Sequence, residues 1–303
     1  MAQHSPIFLY GPTASGKTAL AIALARRCNG VIINADSMQL YHDLWVVTAR
    51  PSKDELQQAE HWGFGIIDAA VRWSTKAWLD HAHGLLCRAE QQGRRPIFVG
   101  GTGLYHKVLT EGLSAIPEPP ATVLEACKAM STEQLHETLS TVDPNSAHLQ
   151  DRQRMIRALS VSQASDKPFS HWVAQPLVGG VGNVLTFAMD PERKTLRQRI
   201  DKRFELMMDD GAVEEVQALL NLGLAEDLPC MRAIGVPEIA TWLSGQVGRE
   251  EAVVKAQASS RQYAKRQLTW SRNQMPTVIK LPINDFNEQE IERNISHIFS
   301  FLD

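Results

Sequence analysis

Ile7-Phe8-Leu9-Tyr10-Gly11-Pro12-Thr13-Ala14-Ser15-Gly16-Lys17-Thr18 begins as a short strand and ends in a loop bracketed by two glycines. The next residues, Lys17 to Arg27 (KTALAIALARR), are strong helix formers, so the loop lies between a strand and a helix. Gly11, Gly16, Lys17 and Thr18 satisfy G-x-x-x-x-G-K-[ST], a spacing that average residue frequencies would produce by accident in roughly one such chain in a hundred. The physics behind the pattern is specific. Amides of residues 13 to 18 at a helix N-terminus surround phosphate oxygens, Lys17 supplies positive charge, and the Thr18 hydroxyl is suited to Mg²⁺. Gly11, Pro12, Thr13, Ala14, Ser15, Gly16, Lys17 and Thr18 are therefore expected to form a phosphate or diphosphate site, with Thr18 as metal ligand.

Working outward, Gly30 to Asp36 (GVIINAD) reads as a second strand with Asp36 at its end, about where a chain returning from the helix passes the phosphate loop. Lys76 to Gln92 has helical apolar spacing, and Arg95 to Val99 is a strand running into Gly100-Gly101-Thr102-Gly103. That strand offers backbone and a hydroxyl where a nucleotide hydrolase would place its metal-holding carboxylate, so Asp36 is either the metal ligand or a base. Further on come a strand from Val184 to Asp190, helices near 191–209, 211–222 and 250–274, a strand from Thr277 to Leu281 and an amphipathic C-terminal helix. Alternating strands and helices imply a parallel sheet with right-handed crossovers. The expected fold is α/β: a P-loop NTPase-like parallel sheet flanked by helices, interrupted by a Pro-bounded, mainly helical insertion. The boundaries are 1–116 and 183–303 for the core and 117–182 for the insertion.

At 303 residues, 44% hydrophobic and 21% charged, the composition is that of an ordinary globular protein. The opening residues Met1 to Pro6 show no basic segment ahead of the apolar run, and no stretch approaches the roughly 20 apolar residues of a membrane span, so a cytoplasmic protein is expected. A monomer is also expected. Cys28, Cys87, Cys127 and Cys230 have no metal-ligand spacing. The net charge of −3 excludes a uniformly basic nucleic-acid binder, yet the cations are clustered: Glu192–Arg203 and Arg249–Arg272 each carry six Lys/Arg against two acids. Taken alone, such clusters read as solvated helix faces or as an anion-binding surface.

Several separated motifs together resemble the bacterial tRNA dimethylallyltransferases (tRNA isopentenyltransferases). They are GPTASGKT (11–18), DSMQLY (36–41), TARPS (48–52), VGGTGLY (99–105), DRQRMIRAL (151–159), RQRIDKRFELM (197–207), LPCMRAIG (228–235) and RQYAKRQLTWSR (261–272), in the order that family keeps. The resemblance implies transfer of a dimethylallyl group from dimethylallyl diphosphate to the exocyclic amine of the adenine just 3′ of the anticodon, in tRNAs reading codons that start with U. It implies Mg²⁺ as cofactor, and the tRNA anticodon stem-loop and the prenyl diphosphate as partners. On the matching positions, Asp36 resembles the catalytic base, Lys17, Thr18 and Arg199 the groups that hold the diphosphate, and Asp36, Ser37, Met38, Gln39, Thr102, Gln153, Arg154, Met155, Ile156, Arg157, Lys265, Arg266 and Arg272 the tRNA-facing set. The insertion would then touch the tRNA. The chain departs from the family after DSMQ, where His42-Asp43-Leu44-Trp45-Val46-Val47 replaces an Arg-Gly pair and a D-I-G run, and after RAIG, where Val236-Pro237 follows. The competing reading is an ATP-dependent P-loop small-molecule kinase, with Asp36 as metal ligand or base and the insertion as a lid.

Overall fold

The computed structural model describes residues 4–275 and 277–302. Met1-Ala2-Gln3, part of the opening discussed above, lies outside them. The strands are β1 (Ile7–Tyr10), β2 (Gly30–Asn34), β3 (His61–Trp62), β4 (Arg95–Gly100), β5 (Gly112–Leu113), β6 (Val178–Gly179), β7 (Leu185–Pro191) and β8 (Ile279–Ile283). The helices are α1 (Lys17–Arg27), α2 (Lys53–Gln58), α3 (Thr75–Gln91), α4 (Gly103–Glu111), α5 (Ala121–Ala129), α6 (Thr132–Val142), α7 (Arg152–Ala164), α8 (Phe169–Val173), α9 (Arg193–Asp209), α10 (Ala212–Asn221), α11 (Val236–Leu243), α12 (Arg249–Gln274) and α13 (Glu288–Phe299). The chain divides into two compact units, one up to Thr110 and from Gly182 onward, the other Glu111–Val181.

In the first unit six strands lie in the order β3-β2-β4-β1-β7-β8, and every ladder is parallel. All four residues of β1 are buried, with Ile7 opposite Ile97 of β4 on one side and Leu185 of β7 on the other. A strand covered on both faces has no solvent side to pattern, which is why β1 and β2 read as unbroken apolar runs. The chain leaves β1 toward β2 on one flank and later adds β7 on the other, so the phosphate loop opens at the C-terminal edge of the sheet where the strand order reverses.

β2 stops at Asn34, two residues short of the sequence expectation. The Asn34 side chain explains the stop: its Oδ1 accepts the Asp36 N–H at 2.8 Å and its Nδ2 donates to the Asp36 carbonyl at 3.0 Å and to that of Gly63 at 3.1 Å. Asp36 is thus turned out of the ladder instead of ending it. Beneath this turn Trp78 of α3, 1% exposed, stacks on Tyr105 at 4.0 Å and donates from Nε1 to the Asn34 carbonyl at 3.3 Å.

The second unit has its own core of Cys127, Leu135, Leu139, Met155, Ala158 and Leu159. It begins at Glu111 and ends at Val181, against the 117–182 read from sequence. Antiparallel pairing of Gly112 with Gly179 and of Leu113 with Val178 draws the segment's ends together, so residues 111–113 belong with the insertion. No long apolar run marked this two-residue ladder.

Candidate active site

Two cavities in the first unit share a wall. The larger, about 580 Å³, lies over the phosphate loop, with Ala14, Lys17, Thr18, Arg199 and Lys202 among its lining residues. The smaller, about 250 Å³, has an apolar wall of Met38, Val47, Ile200, Phe204, Met207 and Ile234, with Ser37, Arg232, Ser260, Tyr263 and Arg266 also lining it. Thr13, Asp36, Thr48 and Arg203 line both. A cation-rich chamber therefore opens beside one with an apolar wall, with Asp36 the carboxylate that lines both.

The loop owes its shape to glycine and to helix α12. Gly16 caps α1 at φ +79°, a left-handed conformation that glycine adopts without strain. Gln267 of α12, 4% exposed, accepts the Thr13 N–H on Oε1 at 2.9 Å and donates from Nε2 to the Gly101 carbonyl at 3.0 Å, while Tyr10 Oη donates to the Gln267 carbonyl at 3.1 Å. A Cβ at Gly101 would lie 1.8 Å from Gln267 Nε2, which accounts for the glycine there.

These contacts show where each residue of the phosphate set expected from the motif lies. The Thr13 amide is taken by Gln267, and the Ser15 amide donates to the Pro12 carbonyl at 3.3 Å. Gly11 and Pro12 do not line the chamber; their carbonyls accept Lys17 Nζ at 2.9 and 2.6 Å. Ser15 lines the chamber as well, although it is fully buried. Thr13, Ala14, Ser15, Gly16, Lys17 and Thr18 line the chamber from the loop itself, with Arg199 donating from Nε to the Ala14 carbonyl at 3.0 Å and Arg203 donating to Thr13 Oγ1.

Burial dominates the charges. Lys17 is pushed down to about 7, the nearby Asp36 opposing that shift and Arg203 adding to it. Burial raises the Asp36 carboxyl; the Met38 amide, Lys17, the Gln39 amide and Arg203 oppose the rise. Arg203 falls to about 10 through burial, with Asp36 restoring part of the loss, and stays protonated at neutral pH. Asp36 offsets part of the burial cost of each cation and they offset part of its own, but the cations oppose one another and burial still wins at all three groups.

The remaining expected residues separate by surroundings. Met38 donates its amide to Asp36 Oδ1 at 3.0 Å, and Thr102 Oγ1 accepts the Ser37 N–H at 3.1 Å, which ties the turn after β2 to the turn after β4. Gln39 donates from Nε2 to the carbonyls of Thr48 and Ala49 at 2.9 and 3.0 Å and holds that loop at the chambers. The loop's departure from the family pattern is compensated locally. Glu215 of α10 accepts the amides of Trp45, Val46 and Val47 at 2.7, 2.8 and 3.0 Å, and the bulk of Val47 faces Gly235, where a Cβ would lie 2.5 Å from Val47 Cγ2.

Lys265 and Arg266, adjacent in sequence, face different cavities because successive helical residues point about 100° apart. Arg266 lines the apolar chamber, whereas Lys265 and Arg272 line a groove of about 480 Å³ between α9 and α12, joined there by Arg193, Arg197 and Arg261. Five cations drawn from both basic clusters of the sequence thus share this groove, while Arg199, Lys202, Arg203 and Arg266 line the chambers instead. In the second unit, Gln153 and Arg154 are exposed on α7, Ile156 and Arg157 are half-buried, and Met155, 1% exposed, belongs to that unit's core; its side chain is not offered to a ligand.

Arg203, Tyr263 and Gln267 were not singled out from sequence. The signal was present, since Arg203 follows Arg199, and Gln267 follows Tyr263, by four residues and so shares its helix face.

Thr18 and Asp36 line the same chamber, and among the described residues no group of three or more His, Cys, Asp or Glu could hold a metal. One hydroxyl and one carboxylate fit Mg²⁺, which keeps few protein ligands and completes its shell with phosphate oxygens and water. They do not fit a structural zinc site.

Comparison with known proteins agrees with this architecture. The family profile "IPP transferase" matches residues 39–274 and "Isopentenyl transferase" matches 6–62. The tRNA dimethylallyltransferase of Agrobacterium fabrum is 48% identical over 278 residues, 89% of this chain and 93% of that one. The crystal structure of a full-length tRNA isopentenylpyrophosphate transferase from Bacillus halodurans is 30% identical, with a TM-score of 0.74 over 99% of this chain and 97% of its own. A eukaryotic dimethylallyltransferase acting on tRNA, 23% identical, shares the fold with a TM-score of 0.88 over 99% of this chain and 79% of its own. With a phosphate loop opening on an apolar chamber, a profile match across most of its length and relatives at this identity, the chain belongs to the IPP transferase family.

Proposed function

We propose that the chain transfers a dimethylallyl group from dimethylallyl diphosphate to the exocyclic amine of the adenine just 3′ of the anticodon, in tRNAs that read codons starting with U. The observation that carries this reading is the junction of the two chambers: anion-binding groups on one side, apolar wall on the other, and Asp36 between them. The kinase reading is not favoured, because a phosphoryl acceptor would have no use for the apolar chamber and the family assignment points elsewhere.

The diphosphate sits against the amides of the loop, Lys17 and Arg199, and the five-carbon group extends toward Val47, Phe204 and Met207. The amine nitrogen attacks the first carbon of the allyl group as the C–O bond breaks and the diphosphate departs. An adenine amine is a weak nucleophile because its lone pair is delocalised into the ring, so Asp36, ionised, accepts the proton it sheds. Negative charge that grows on the leaving oxygens is met by Lys17, Arg199 and Arg203, fixed in place before the reaction begins. Mg²⁺ held by Thr18 would supply further neutralisation of the diphosphate.

Incubating an unmodified tRNA with the protein, Mg²⁺ and dimethylallyl diphosphate should raise its mass by one dimethylallyl unit less a hydrogen. An RNA of unaltered mass, with ATP consumed on a small metabolite instead, would overturn the reading.

A depressed Lys17 has a thermodynamic signature. Bound diphosphate favours the ammonium, so at pH 8, above the free-enzyme value of about 7, binding should take up close to one proton. Calorimetry in buffers of differing ionisation enthalpy would read this directly, and a Lys17→Met variant should bind weakly with no uptake. Equal heats in all buffers for the unaltered protein would contradict the assignment.

The groove between α9 and α12 is assigned to tRNA phosphates, with exposed Gln153 and Arg154 of the second unit as further RNA contacts. Lys265→Ala with Arg272→Ala should weaken tRNA binding and reduce the log-log salt slope by roughly 1.4 to 1.8, the value for two fewer phosphates neutralised. A slope unchanged within error would remove the groove from the interface.

A further inference from the structure

Phe286 lies in the connection between β8 and α13, with its backbone at φ +55°, a left-handed conformation uncommon for a bulky side chain. The surroundings enforce it. Glu290 of α13, 4% exposed, accepts the amides of Asn284, Asp285 and Phe286 at 2.8, 3.0 and 2.9 Å, closing the turn around a carboxylate. Strain that neighbouring contacts over-determine points to a placement the molecule uses.

The ring reaches the phosphate loop. It lies under Gly16, where a Cβ would come within 3.1 Å of Phe286 Cδ1, and the Arg199 guanidinium carbon stands 3.8 Å from its centroid. Arg199 is otherwise an exposed residue on α9 whose Nε donates to the Ala14 carbonyl at 3.0 Å. One hydrogen bond alone would leave the guanidinium plane free to rotate about it. The ring face removes that freedom, and both terminal nitrogens can then be directed at an anion in the chamber that Arg199 lines.

We infer that Phe286, held by Glu290, is a positioning residue for the donor's diphosphate: it orients Arg199 by stacking. The inference rests on the reading of Arg199 as a diphosphate ligand.

Steady-state kinetics with dimethylallyl diphosphate and tRNA on the full chain test it. Phe286→Leu should raise the donor KM by roughly fivefold to thirtyfold, as loss of a partly desolvated cation–π contact would. It should leave kcat within about threefold and the tRNA KM unmoved. Phe286→Tyr, which keeps the ring face, should restore the donor KM to within about twofold. In an Arg199→Ala background, Phe286→Leu should add less than about twofold, since the two act through one group. A donor KM unaffected by Arg199→Ala would sink the reading of Arg199 and this inference with it. A donor KM raised by Arg199→Ala but not by Phe286→Leu, or raised equally by Phe286→Leu with and without Arg199, would sink the inference alone. Should Phe286→Leu fail to fold, Glu290→Gln, which weakens the hold on the turn, should show the same donor-specific rise on a smaller scale; an unchanged donor KM there would overturn the proposal.

Discussion

Asp36→Asn is expected to lower kcat by about 10² to 10⁴ while leaving tRNA affinity within a few-fold and raising thermal stability near neutral pH. The first effect follows from removing the one carboxylate where the chambers meet. The second follows because the amide keeps the Met38 hydrogen bond and the shape of the turn. The third comes from linkage. Burial raises the Asp36 carboxyl in the folded state, so between its ordinary value and the raised one the folded protein binds more protons than the unfolded chain, and stability falls as pH rises through that window. Above the window the ionised carboxylate is a standing cost that Asn does not carry. The stability gain should therefore be present at pH 8 and shrink toward acid pH, where Asp36 is protonated in the parent. Melting curves at several pH values check this beside single-turnover assays. A variant that turns over normally would remove Asp36 from the base role, and one destabilised at pH 8 would contradict its burial.

Arg203→Met is expected to reduce kcat/KM for the donor by about 10² to 10³, the usual consequence of losing one preorganised donor to a developing negative charge. Arg203 donates to Thr13 Oγ1 and lines both chambers, so its charge lies at the junction where the proposed transfer would break the C–O bond. It also acts on Asp36. A cation beside Asp36 favours the carboxylate, and without it the carboxyl rises further. The acidic limb of the kcat profile should therefore move to higher pH in Arg203→Met. Arg199→Ala, whose charge does not appear among the influences on Asp36, should leave that limb in place. A pH profile shifted equally by both substitutions would show that overall loss of charge, and not proximity to Asp36, governs the base.

The parts of this site that were legible in the chain are those written in consecutive residues. The loop from Gly11 to Thr18 shows itself because glycines, a lysine and a hydroxyl must stand at fixed offsets for a strand to hand phosphates to a helix, and the apolar run of β1 is unbroken because both its faces are covered. Asp36 was placed near the loop, but on the strand, since periodicity is blind to the Asn34 side chain that turns it out. Residues near the boundaries fared worse for a related reason: the ladder of Gly112 and Leu113 with Val178 and Gly179 is a pairing between distant short segments, and neither segment has a pattern of its own.

By itself the sequence determined an α/β sheet with a phosphate loop at its edge, a helical insertion and two basic stretches, because each of these is local and rests on the chemistry of neighbouring residues. Only the tertiary structure decided that five cations of the two basic stretches line one groove, that Gln267 occupies the Thr13 amide of the loop, that Arg203 lines both chambers, and that Phe286 stacks on Arg199. Those facts depend on how helices lie across the sheet and at which angle each presents its side chains, and packing of residues far apart in the chain sets both.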